Sequence, residues 1–203
     1  MGNRDWQILQ KFMKSELDFD REKIPDKRMP LKDAVSKLVR PGITLHLNTT
    51  HTRPGACIYE LCRQFRGKNP AWTISSMGVI STVLPLAHLG LAKKFITTFA
   101  GDAYPTPAPN PVIQRGLDQG RFEIENWTIL TFPLRLMAGA MGIPYIPVKS
   151  LVGSDMAREN REWFELEPDG AHGRLKAFRP DLAVIHAIAA DPAGNAILTP
   201  PYG

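Results

Sequence analysis

From residue 30 the apolar positions settle into two alternating periods. Leu31, Ala34, Val35, Leu38 and Val39 recur at helical spacing, and Pro41-Gly42 stops that helix. Ile43-Thr44-Leu45-His46-Leu47 then reads as a strand, and Ile58, Leu61, Cys62 and Phe65 form one face of a helix closed by Gly67. Residues 72–76 and 95–99 are further strands, with a helix between them over 83–91 that carries Pro85 in its first turn. Four prolines between Pro105 and Pro111 exclude a helix interior or a central strand and predict a stiff extended loop. Helix resumes over 112–119. Residues 122–125 alternate like a strand, and 128–141 is a long helix with a small stretch at Ala138-Gly139-Ala140. Tyr145-Ile146-Pro147-Val148 is a fifth strand, and 153–178 a polar excursion. Leu182 to Ala189 is a nearly continuous apolar run, as expected where both faces of a sheet are covered.

Strands alternating with helices at these lengths predict an α/β fold: an open, mainly parallel sheet with helices on both faces. Ligands of such sheets bind beyond the carboxyl ends of the strands. The loops after Leu47, Phe99 and Val148 are therefore expected to share one edge. Residues 1–28 form a separate N-terminal helix and linker, with Trp6, Leu9, Phe12 and Met13 at helical spacing, ahead of the α/β domain at 29–203.

The loop Asn48-Thr49-Thr50-His51-Thr52-Arg53-Pro54 joins the first strand to a helix N-terminus, where free N–H groups and the helix dipole favour an anionic or carbonyl ligand. An ordinary capped turn has the same pattern. Pro54 suits the first helical position. Arg53 offers a planar fork for a carboxylate, and His51 is the histidine best placed for ligand contact. Asp102 opens the proline loop and can orient a substrate, act as a base, or cap the Gly101 turn; Tyr104 follows it. Ser154 reads as a ligand group or a helix cap, and His186 as a core histidine satisfied by its neighbours.

Composition narrows the class. The chain has 203 residues, 43% hydrophobic and 22% charged, ordinary for a soluble domain. No apolar run reaches the ~18–20 residues of a membrane span, and the N-terminus has no leader pattern. Cys57 and Cys62 have neither metal nor redox spacing, so both are expected reduced in a cytoplasmic protein. The net charge of +5 is scattered without the clustering of a nucleic-acid footprint. Dinucleotide, P-loop, zincin and nucleophile-elbow signatures are all missing. The residues offer a small-molecule rim without a complete catalytic set, which points to a binding protein or to half of a shared active site.

Three segments resemble the A-type (α) component of family I CoA-transferases, in particular that of the glutaconate CoA-transferases. They are Thr49 to Gln64, Ile124 to Asp155 with its core Arg135-Leu136-Met137-Ala138-Gly139-Ala140-Met141-Gly142-Ile143-Pro144-Tyr145, and Arg179 to Asn195. The resemblance runs from about residue 30 to the end, and implies a CoA-transferase-like fold shortened at its C-terminal end. It implies an A-type subunit of a hetero-oligomer that moves CoA between an acyl-CoA and a carboxylic acid. The active site would be shared with a B-type subunit carrying the catalytic Glu, which forms an anhydride and then a glutamyl-CoA thioester. Asn48, Thr49, Thr50, His51, Arg53, Asp102, Tyr104 and Ser154 would contact substrate, with Asp102 the candidate if this chain supplies a carboxylate. Coenzyme A enters as part of the substrate; no permanently bound cofactor, metal, nucleic acid or membrane is expected. The alternatives are acyl-CoA hydrolysis or decarboxylation on the same scaffold, and a non-catalytic structural or binding subunit.

Overall fold

The computed structural model describes Gln7 and residues 25–48, 53–102 and 107–198. The N-terminal helix expected around Trp6 and Phe12 lies outside the described residues.

The central sheet is parallel throughout. It is built from β1 (Thr44–Leu47), β2 (Trp72–Ser75), β4 (Ala92–Thr97), β6 (Glu123–Asn126) and β10 (Leu182–Val184), in the order β10-β1-β2-β4-β6. Helices α1 (Leu31–Leu38), α2 (Gly55–Phe65), α3 (Leu84–His88) and α4 (Pro111–Asp118) cover one face. Their apolar stripes meet Leu45, Leu47, Ile74 and Phe95, the sheet residues that point the same way by the period of two. All four of those side chains have no solvent exposure, and each such burial contributes about 1.5–3 kcal/mol. Trp72 closes this core from below, its indole N–H donating to the Arg40 carbonyl at 2.8 Å.

The other face is covered by α5 (Thr131–Met141) and a small antiparallel sheet of β7 (Tyr145–Val148), β8 (Phe164–Leu166) and β9 (Gly173–Lys176), in the order β7-β9-β8. Thr128 and Thr131 start α5 by exchanging bonds: each backbone N–H donates to the other's hydroxyl, at 3.1 and 2.9 Å. Ile96, Trp127, Phe132, Val148, Leu151, Phe164 and Leu175 make the apolar part of this second core. At its centre lies Arg135, with 1% side-chain exposure.

Two expectations need correction. Tyr145–Val148 is a strand but belongs to the small sheet, so the loop after Val148 is not part of the main sheet's carboxyl edge. The apolar run from Leu182 forms only a three-residue strand that pairs with β1 alone. Its side chains are half-buried or exposed, Ile185 at 57%, and His186 is exposed rather than a core residue. The chain then turns through the short hairpin β11 (Ala189–Ala190) and β12 (Ala196–Ile197). Among the described residues, no helix is long and apolar enough to cross a membrane.

Candidate functional site

The carboxyl edge of the main sheet is lined by small polar residues. β1 is followed by Asn48, β2 ends at Ser75 and runs into Ser76, β4 ends at Thr97 and runs into Thr98, and β6 ends at Asn126. Beyond this edge the chain doubles into a parallel ribbon of β3 (Gly78–Val79) and β5 (Phe99–Ala100), which forms a lip over it. The hydroxyls hold the lip to the sheet: Thr98 Oγ1 donates to the Met77 carbonyl at 2.7 Å and Thr97 Oγ1 to that of Phe99 at 3.0 Å. His46, the penultimate residue of β1, places Nδ1 3.0 Å from Ser75 Oγ, and its ring centroid lies 6.0 Å from that of Phe132. Burial pushes the His46 imidazole below its ordinary value, so it is neutral at pH 7. Ser75 itself has no exposure, so the pair orients a ring rather than presenting a nucleophile.

The start of α2 carries the clearest sign of a missing partner. Pro54 is the N-cap rather than the first helical residue, and among the described residues no side chain caps the helix. The Nε of Arg53 and the hydroxyl of Thr82 are both buried and, among the described residues, without a hydrogen-bond partner. Thr82 lies in the 3-10 turn Ser81–Val83, its methyl 3.9 Å from where a Cβ of Gly55 would stand. Buried polar groups left unpaired in a native fold call for a ligand or an ordered water. A guanidinium donor, a hydroxyl and a helix N-terminus brought to one helix start have the chemistry to receive a carboxylate or thioester oxygen.

An apolar groove of about 470 Å³ opens beside this helix start, between α1, Pro54, Cys57 and the segment Leu182–Ala187. Burial raises the Cys57 thiol above its ordinary value, which keeps it protonated and unreactive.

Among the expected site residues, Asn48 and Arg53 flank the loop. Thr49, Thr50 and His51 lie outside the described residues, as does Tyr104. Asn48 is tied into the sheet through its N–H to the Val184 carbonyl at 3.0 Å. Asp102 closes the base of the proline loop: it bridges Ala108 through the backbone, and its Oδ1 accepts from Asn110 Nδ2 at 2.7 Å. Asn110 in turn caps α4. Ser154 caps the short helix α6 (Asp155–Glu159), accepting from the Ala157 N–H and donating to the Leu151 carbonyl. It lines a different surface pocket, with Arg158, Arg161 and Phe164. Thr82 and His46 were not among the expected site residues, whereas the hydroxyl doublets Ser75-Ser76 and Thr97-Thr98 are visible in the sequence at strand ends. Among the described residues, no cluster of three His, Cys, Asp or Glu side chains could hold a metal ion.

Comparison with known proteins assigns the chain to a family. The sequence profile described as Coenzyme A transferase covers residues 28–202. The A component of the 3-oxoadipate CoA-transferase of Pseudomonas knackmussii is 28% identical over 177 residues, spanning 84% of this chain and 61% of the relative. The A component of the glutaconate CoA-transferase of Acidaminococcus fermentans is 24% identical over 190 residues, spanning 83% of this chain and 58% of the relative. The crystal structure of that organism's glutaconate CoA-transferase shares the fold, with a TM-score of 0.73 at 23% identity over 86% of this chain and 61% of that one. A variant of the decarboxylase AibA/AibB is similar at a TM-score of 0.72 and 26% identity, over 87% of this chain and 68% of that chain. This chain spans between 40% and 61% of the length of the curated relatives it matches.

Proposed function

The chain belongs to the coenzyme A transferase family, and from that premise we propose that it is the A-type subunit of a heteromeric CoA-transferase. Coenzyme A would be carried as part of the substrate, and the B-type subunit would supply a catalytic glutamate. Its carboxylate attacks the acyl thioester; the C–S bond breaks, and CoA leaves as thiolate, with a mixed anhydride remaining on the glutamate. The thiolate then attacks the glutamyl carbonyl and expels the first carboxylate, leaving glutamyl-CoA. A second carboxylate repeats the sequence in reverse, takes up the CoA and restores the glutamate.

This chain's part is to receive the acyl end and keep water from the anhydride. The observation that carries the reading is the pair of buried groups at the start of α2, Arg53 Nε and Thr82 Oγ1, that have no hydrogen-bond partner among the described residues. They would donate to the substrate oxygen as negative charge develops on it. The apolar groove beside Pro54 would take the acyl chain.

A second reading, decarboxylation of an acyl-CoA on the same scaffold, is favoured by the 26% identity to AibA/AibB. One assay separates the two. Reconstituted with its B-type chain, the protein is incubated with acyl-CoA, with and without an acceptor acid. Transfer yields a new CoA ester only when the acceptor is present, and Arg53→Ala lowers kcat/KM at least ~10-fold, or about 1.4 kcal/mol of transition-state stabilisation. Carbon dioxide released without acceptor selects decarboxylation. No turnover in either arm, at correct stoichiometry, removes both.

A further inference from the structure

Helix α5 is amphipathic the wrong way round for a helix on the outside of a lone domain. Surface helices turn charge outward and apolar groups inward. Here the helix's one charged residue, Arg135, points inward with Thr131, Phe132 and Ala138. The outward face, with the turn leading into it, consists of Ile129, Leu130, Pro133, Met137, Ala140 and Met141. Ile129 is 70% exposed, Met141 64% and Leu130 56%, and Tyr145 continues the patch beyond the helix end. A contiguous apolar stripe of this kind marks an interaction surface.

The charges around the stripe decide what fits it. Neither Asp nor Glu occurs from residue 128 to 150 or from 173 to 180. The exposed charges in these stretches are Lys149, Lys176 and Arg179, the last packing its stem against Gly139 of α5. A second copy of this chain would bring the same basic rim against itself, which disfavours self-pairing. The complementary surface is an apolar patch bordered by carboxylates.

We infer that α5 is the docking face for the B-type chain, which presents an apolar patch with an acidic rim. This inference rests on the heteromeric reading above. The B-type chain inserts apolar side chains between Leu130, Met137 and Met141, while its carboxylates meet Lys149, Lys176 and Arg179. Small Ala140 on the outer face lets the partner's backbone approach closely. With the partner seated, the stripe is buried and the inward Arg135 no longer makes α5 anomalous.

The test uses the full chain and the B-type chain that restores turnover. Affinity is read by sedimentation for wild type, Met137→Glu and, as a control on a remote exposed side chain of α4, Leu117→Glu. Thermal melts establish that each variant is folded. The inference expects a monomer in isolation and a 1:1 complex with the B-type chain. Met137→Glu should weaken that complex at least ~100-fold, and Leu117→Glu should leave it within ~3-fold. An active pair whose affinity Met137→Glu leaves unchanged overturns the inference and spares the heteromeric reading. An isolated chain that self-associates through α5 overturns it in favour of a second copy. If no B-type chain binds wild type or gives turnover, the reading and the inference fall together.

Discussion

The two faces of the main sheet are held by opposite means. On the α1–α4 side the centre of the core is apolar, and Leu45, Ile74 and Phe95 bury only hydrocarbon. On the α5 side the centre is an ion. Arg135 Nη1 donates to Glu125 Oε1 at 2.8 Å, the Trp127 indole donates to the same oxygen at 2.6 Å, and Lys94 stands 2.7 Å from Oε2. The guanidinium is stacked on Trp127, Trp163 and Phe178, with the ring centroids 4.4 to 5.4 Å away. Burial by itself would raise the Glu125 carboxyl, but the bonds from Lys94 and Trp127 and the charge of Arg135 hold it below the usual glutamate range. An apolar core tolerates truncation in proportion to the cavity left behind. The charged one is sensitive to losing either half of its pair.

The largest effect that could break this contrast comes from Glu125→Ala. It leaves Arg135 buried and unpaired, and should cost about 3–5 kcal/mol of stability in a urea titration. Replacing both partners, Glu125→Leu with Arg135→Met, should recover most of that loss, because an apolar pair carries no desolvation penalty. A double variant as unstable as the single one would mean that the pair is not what makes this face fragile.

Gly139→Ala is next. A Cβ there would stand 2.3 Å from the Phe178 carbonyl oxygen and 2.9 Å from Arg179 Cγ, on the segment that crosses α5. Alanine improves intrinsic helix propensity by up to ~1 kcal/mol, yet forcing the crossing segment outward costs about 1–3 kcal/mol. The clash is with backbone and should win, giving a lower Tm; a raised Tm would show that the two elements are loosely docked.

The smallest effect is one of pH and centres on His46. Its folded value lies below the ordinary 6.5 because burial disfavours the cation. Between those two values the unfolded chain binds a proton that the folded chain does not. Stability should therefore fall as pH drops below ~6.5 towards the folded value, and be unaffected by this group above it. His46→Asn should flatten that part of the stability curve by a fraction of a kcal/mol; an unchanged curve would show that the imidazole is solvated.

The same contrast governs how much the sequence disclosed. The α1–α4 face was legible because its elements follow the periods of 3.6 and 2 between clear stops, as in Leu31–Leu38 before Pro41-Gly42 and Ile58–Phe65 before Gly67. On the other face periodicity failed. Residues 131–141 show a lone arginine in an apolar helix, and nothing local says that it turns inward. That depends on Glu125, ten residues earlier, on a neighbouring strand. Tyr145–Val148 was recognisable as a strand, but its partner β9 lies almost 30 residues on, so its sheet was not. The run at Leu182 looked buried because composition reports apolarity and not how many neighbours a strand acquires.

At the site, Arg53 could be picked out as a planar fork next to a helix start. Thr82 could not, because a threonine in a Ser-Thr-Val turn has no distinctive pattern until the turn folds back against Gly55. The Ser154 cap is local, with partners three residues either side, and was one of the two readings of its sequence; the clasp of Asp102 depends on Ala108 and Asn110 beyond the prolines, which spacing alone does not pair.

The central claim is that this chain receives substrate while another chain carries the reacting carboxylate. Intact-mass measurement of both chains, taken during turnover of the reconstituted pair with acyl-CoA, tests it most directly. The account predicts a CoA adduct on the B-type chain and none on this one, diminished by Arg53→Ala. An adduct on this chain, or turnover with no adduct on either, would contradict it.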